Sequence, residues 1–191
     1  MVGITSLWLP ILLSAVVVFV ASWIIHVFLP YHRTDFRQVP AEDQVMEALR
    51  RTAIPPGDYI IPYAGSAQRM KDPEYIAKRT RGPVAFMTIM KGGPPTMGAE
   101  LAQWFVYCAV ISLFAAYIAG RALGPGSEYL AVFRFAGVSG FLGYAGALWQ
   151  NSIWFKRSWG FTLKSTFDGV VYALLTAGIF GWLWPRWNAR R

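Results

Sequence analysis

The sequence predicts an all-α membrane protein: four transmembrane helices with a small α+β cytoplasmic cap between helices 1 and 2. Three observations carry this. Hydrophobic residues make up 55% of the 191-residue chain even without glycine, where an ordinary soluble domain reaches roughly 45–50% with glycine included. Charged residues make up 15%, against about 25% in soluble domains. The charges also leave long gaps, at Met1–His32 and at residues 101–120, 135–155 and 169–185. A helix rises 1.5 Å per residue, so a hydrocarbon core of ~30 Å takes about 20 residues to cross.

The spans are therefore expected at 5–29, 100–121, 129–153 and 166–185, dividing the chain into a first helix (1–30), a connecting segment (31–99) and a three-helix core with a basic C-terminal tail (100–191). Pro30 and Pro185 close the first and fourth spans, where a missing N–H and a fixed φ do no harm. Trp8, Trp23, Trp104, Tyr117, Tyr129, Trp149, Trp154, Trp182 and Trp184 lie near the predicted rims, the interface that rings with one polar edge favour. Met1 to Ser6 holds no basic residue, and no small-x-small cleavage site follows the first run. It therefore reads as a retained anchor rather than a signal peptide.

Basic residues set the orientation. Counting only those near the membrane, Arg33, Arg37, Arg50, Arg81, Lys91, Lys156, Arg157 and Lys164 lie on one side, and Arg121, Arg186, Arg190 and Arg191 on the other. The richer side is expected to be cytoplasmic. Both termini then lie outside a bacterial-type inner membrane, with 31–99 in the cytoplasm. The formal charge of +8 suits anionic lipid headgroups. In 31–99 acidic and basic residues are mixed, which argues against a nucleic-acid partner, since that reading needs a basic stripe.

The connecting segment holds eight of the twelve prolines, which break it into short elements. Pro40–Thr52 reads as a helix, with Glu42 and Asp43 at its positive end and Arg50 and Arg51 at its negative end. Asp58–Tyr63 and Val84–Met90 read as strands able to pair, and Asp72–Thr80 as one or two helical turns.

Lipid is as apolar as leucine, so spans associate through close contact at small residues. Cys108, Ser112, Ala116 and Gly120 recur at every fourth position in the second span, Ser139, Gly143 and Ala147 (with Ala136 and Gly140 alongside) in the third, and Gly169, Ala173, Ala177 and Gly181 in the fourth. Spans two to four are therefore expected to form a tight core, with the first span packing more loosely or facing lipid. The lone Cys108 has no intrachain disulfide partner and fits the packing role.

Candidate site residues are polar groups converging on the cytoplasmic ends of the spans: His26, Glu100, Gln103, Gln150, Asn151, Lys164 and Asp168. Ionisable groups at membrane depth mark functional sites by default; at a shallow rim that default weakens, and bonding to helix ends, headgroups or the loop cap is the favoured reading. Asp168, near the expected start of the fourth helix, would suit its positive terminus. No cofactor or metal is expected: there are two histidines, and His26 and His32, separated by Pro30, cannot share one helical face. No HExxH, Cys pair or nucleophile elbow occurs. An enzyme at the cytoplasmic face would have to draw on His32, Asp35 or Asp168. The leading expectation is a non-enzymatic inner-membrane subunit that self-associates or joins a membrane-protein partner. The alternative is an oligomeric channel or facilitator for a small solute.

Overall fold

A computed structural model describes residues 1–186. Of the basic tail, Arg190 and Arg191 lie outside the described residues. The chain divides into two compact units, one of Met1–Phe36 with the residues from Thr96 onward, the other of Arg37–Pro95.

The first unit is a helical bundle. Its helices are α1 (Trp8–Phe28), α4 (Gly98–Ala122), α5 (Tyr129–Phe141) with the short α6 (Trp149–Ile153), and α7 (Trp159–Trp182). Helices α2 (Glu42–Arg51) and α3 (Pro73–Arg81) belong to the other unit. A 3-10 turn, Ile4–Leu7, leads into α1, and a π turn, Leu142–Gly146, joins α5 towards α6. Four stretches, Ile4–Phe28, Gly98–Ala122, Tyr129–Ile153 and Trp159–Trp182, are long and apolar enough to cross a membrane. Each satisfies its backbone internally, as an apolar solvent demands. α1 packs on α4 and α7, and α5 packs on α4 and α7, which closes a four-membered ring of helices.

The interior has two layers. Leu7, Ala115, Ala116, Ala119, Val132, Ala136 and Phe180 fill one; Ala15, Val18, Ile25, Cys108, Ile111, Tyr144 and Tyr172 fill the other. Leu12, Val16, Val20, Val110, Phe114, Val138, Leu142 and Leu174 point outward and are exposed. So much exposed apolar surface is compatible with a membrane-spanning protein.

Glycine sets the closest helix approaches. A Cβ on Gly143 would lie 2.5 Å from Ile111, on Gly169 2.8 Å from Ala145, on Gly181 2.6 Å from Tyr129, and on Gly120 2.6 Å from the carbonyl of Val2. Gly140 faces Ala173, and Gly137 faces Ala177. Ser112, Ala116, Ala173 and Ala177 are buried as well.

The structure corrects three expectations. The first span is not loose: Ser14, Ala15 and Val18 are fully buried, because serine and alanine let α1 reach both neighbours. The fourth helix starts at Trp159, seven residues before the expected 166. Ser158 caps it by accepting a hydrogen bond from the Phe161 N–H at 3.3 Å, and polar residues at 162–166 hid those turns from a hydropathy reading. Ala147 is exposed, because the wide π turn before it rotates the register that would have placed it beside Gly143.

The second unit contains α2 (Glu42–Arg51), β1 (Gly57–Ile61), a 3-10 turn Arg69–Lys71, α3 (Pro73–Arg81) and β2 (Ala85–Ile89). β1 and β2 pair antiparallel, with Gly57 opposite Ile89 and Ile61 opposite Ala85. Asp58 accepts a hydrogen bond from the partnered Thr88 hydroxyl at 2.6 Å. Asp72 caps α3 through the Glu74 N–H at 2.9 Å. Only Ala64 is buried in this unit.

Candidate functional site

The site lies where α1 ends and α7 begins, and a proline builds it. Leu29 leaves α1 in an extended conformation, as the residue before proline prefers; Pro30–Thr34 then forms a 3-10 turn. That turn folds Tyr31 and His32 back towards the bundle. From α7 come Lys164 and Asp168, four residues apart and so on one face.

His32 stands between two carboxylates, its Nδ1 2.6 Å from Asp35 Oδ2 and its Nε2 2.8 Å from Asp168 Oδ2. Tyr31 donates its hydroxyl hydrogen bond to Asp168 Oδ1. Lys164 donates to Asp35 Oδ1 at 2.8 Å, to the Tyr31 carbonyl at 2.5 Å and to the Thr34 hydroxyl at 2.9 Å. The Asp35 and Asp168 side chains are each 4% exposed and His32 12%. Buried charge is tolerated when paired and hydrogen-bonded; Asp35 and Asp168 here face His32 and Lys164. Nearby, Arg157 lies 5.0 Å from the Phe36 ring and 4.0 Å from the Phe161 ring, a cation–π contact to both.

His26, one turn from the end of α1, stacks on His32 with centroids 4.6 Å apart and planes 8° from parallel. Its Nδ1 donates to the Ser22 carbonyl at 2.9 Å, since a carbonyl can only accept. Ser22 in turn receives the Trp104 indole N–H at 2.7 Å, which ties α4 to the same corner. Within the largely apolar bundle interior, Ser14, Ser112 and Tyr172 have buried hydroxyls without hydrogen-bond partners among the described residues.

Two groups have shifted proton affinities. Burial raises that of Asp35, but the hydrogen bonds and charges of Lys164 and His32 outweigh it and hold its pKa below the ordinary carboxylate value. Tyr31 is pushed well above the usual phenol value by burial, then by its bond to Asp168 and the negative charges of Asp168 and Asp35. It therefore remains a donor.

Among the sequence candidates, His26, Lys164 and Asp168 come together. Glu100, Gln103 and Gln150 are exposed and Asn151 is half-buried, and no side-chain hydrogen bond joins them to this network. Asp168 is not at a helix terminus; with α7 starting at Trp159 it lies more than two turns inside. Tyr31, His32 and Asp35 complete the cluster. Their signal was a His and an Asp three residues apart directly after Pro30. The two histidines occupy no common helical face, yet the turn that separates them in sequence stacks them in space, so spacing along one helix was the wrong test for convergence. His26, His32 and Asp168 each offer one ligand atom within 4.8 Å of the others.

No protein family, curated protein or solved structure matches this chain.

Proposed function

We propose that the chain is a multi-pass protein of a bacterial-type inner membrane, with both termini outside and 31–99 cytoplasmic, working as a non-enzymatic subunit of a larger membrane assembly. One observation carries this reading: the Arg37–Pro95 unit has ordered helices and a strand pair but buries only Ala64. An isolated two-stranded ribbon is marginal in water, and fewer than about 70 residues seldom hold together without a core, a disulfide or a metal. Val45 and Met46 on α2, Met70 and Ile76 lie exposed. A protein partner that covers them would supply the missing burial. The small residues at Gly120, Gly140, Gly143 and Gly169 meet neighbours inside the chain, so association runs through the loop unit rather than through those stripes.

The test is mass measurement after mild solubilisation. The wild-type chain is expected as an oligomer or with a stoichiometric protein, and Val45→Asp with Met46→Asp releases the partner while the bundle's melting is unchanged. A monomer with nothing bound overturns the assembly reading. Orientation is read separately, from reporter fusions within 40–90; periplasmic behaviour there reverses the topology.

A second reading, an oligomeric conduit for a small solute, is favoured by the unpaired hydroxyls of Tyr172, Ser112 and Ser14 in the bundle interior. Under it, Asp168→Asn or Gln150→Leu changes flux in proteoliposomes while the oligomeric state is kept.

A further inference from the structure

We propose that His26, His32 and Asp168 form a binding site for one divalent transition ion of the zinc type. This goes beyond the assembly reading and does not depend on it.

The argument starts from which donor atoms are already engaged. A metal-binding histidine usually gives its other ring N–H to a carboxylate or a backbone carbonyl, which fixes the tautomer and aims the ring. Both histidines here have that arrangement. His26 Nδ1 donates to the Ser22 carbonyl at 2.9 Å, and His32 Nδ1 lies 2.6 Å from Asp35 Oδ2. Asp35 is itself held by Lys164 at 2.8 Å. Asp168 follows the same pattern, with Oδ1 occupied by the Tyr31 hydroxyl and Oδ2 facing His32 Nε2 at 2.8 Å. His26 Nε2 is left without a partner among the described residues, and His32 Nε2 and Asp168 Oδ2 are engaged only with each other.

Geometry and chemistry then select the ion. Bond lengths of about 2.0 Å in a tetrahedral zinc site put ligand atoms about 3.3 Å apart. One ligand atom from each of the three residues lies within 4.8 Å of the others, and His32 and Asp168 are already closer than the ideal spacing. The remaining closure falls to His26. Its ring is stacked parallel to His32 and must tilt to aim Nε2 at a common point, and it is the exposed member of the three. Two imidazoles and one carboxylate suit zinc, cobalt or iron(II) and disfavour magnesium and calcium, which want more oxygen ligands. The ion replaces the proton held between His32 Nε2 and Asp168 Oδ2. With three protein ligands, a fourth position stays open on the exposed His26 side.

Tag-free protein in detergent, stripped with chelator, is titrated with Zn²⁺ against a chromophoric indicator and with Co²⁺ for its visible absorption. One equivalent is expected, with a tetrahedral cobalt spectrum and a rise in melting temperature on adding Zn²⁺. His26→Gln, a change at an exposed position, is expected to lower affinity by at least 100-fold and abolish the spectrum. Asp35→Asn, which removes the orienting carboxylate and its charge pair with Lys164 but none of the three ligand atoms, is expected to lower it 10–100-fold. Wild-type protein binding Zn²⁺ no more tightly than His26→Gln, through either no binding or equal binding, overturns the proposal. So does a cobalt spectrum unchanged in His26→Gln.

Discussion

The bundle and the Arg37–Pro95 unit both contain capped helices and 3-10 turns, and only one of them has an inside. In the bundle, Gly169 lies so close to Ala145 that an added Cβ would stand 2.8 Å away. In the loop unit, a Cβ on Gly92 would meet nothing within 4 Å. Charges differ in the same way. Asp168 and His32 pair largely out of water, whereas Glu47 with Arg51 and Glu74 with Lys78 pair on the exposed surface, where such pairs contribute little. The lesson is that caps, turns and register can specify secondary structure without burial, but they do not make a self-sufficient domain. The loop unit has the first set of features and buries only Ala64.

The largest expected effect falls on the charge cluster. Asp168→Ala leaves the Tyr31 hydroxyl and His32 Nε2 without their acceptor, and each polar group stranded away from water costs about 1–3 kcal/mol. Detergent unfolding followed by circular dichroism should show it. Removal of Glu74, the partner of Lys78, is expected to leave the same transition unmoved. Equal effects at the two positions would erase the contrast between the regions.

Gly169→Val tests the packing side of the comparison. Overpacking a tight contact costs about 1–3 kcal/mol, so the bundle's unfolding midpoint is expected to drop, while Gly92→Ala leaves it in place. A Gly169→Val protein as stable as wild type would mean that α7 and the π-turn segment slide apart freely.

What the sequence made legible divides along the same line. Charge spacing gave the four long helices, because a missing charge is a one-dimensional signal that can be read without knowing the contacts. The strand pair and α3 were readable from β-branched content, prolines and Asp72. The start of α7 was not, because Thr162, Lys164 and Thr166 look like loop until Tyr31, Thr34 and Asp35 are there to receive Lys164. The site was half legible for the same reason. His26, Lys164 and Asp168 stood out at span ends. Tyr31, His32 and Asp35 converge on them only because Pro30 reverses the chain, and Glu100, Gln103, Gln150 and Asn151 stay outside the hydrogen-bonded cluster.

Acid should separate the regions more gently. The folded-state pKa of Asp35 lies below its unfolded value, so its contribution is complete above the unfolded carboxylate value of about 3.9 and is lost as pH falls through that value towards the folded one. The bundle's melting temperature is expected to decline below about pH 4, and Asp35→Asn to flatten that decline from a lower plateau. A wild-type profile parallel to that of Asp35→Asn would show that the carboxylate is not held as its bonds to Lys164 and His32 imply.

The smallest effect is the sharpest on cooperativity. Ser158 caps α7 and Asp72 caps α3 with one side-chain acceptor each, and losing either is expected to cost about 0.5–2 kcal/mol. Ser158→Ala should lower the global melt of the bundle, because α7 packs on both α1 and α5 and cannot fray without disturbing them. Asp72→Ala should leave that melt untouched and raise hydrogen exchange only around residues 73–81. If Asp72→Ala instead shifted the bundle's transition, the loop unit would be folding with the helices as one body, and its missing core would be supplied from within the chain rather than by a partner.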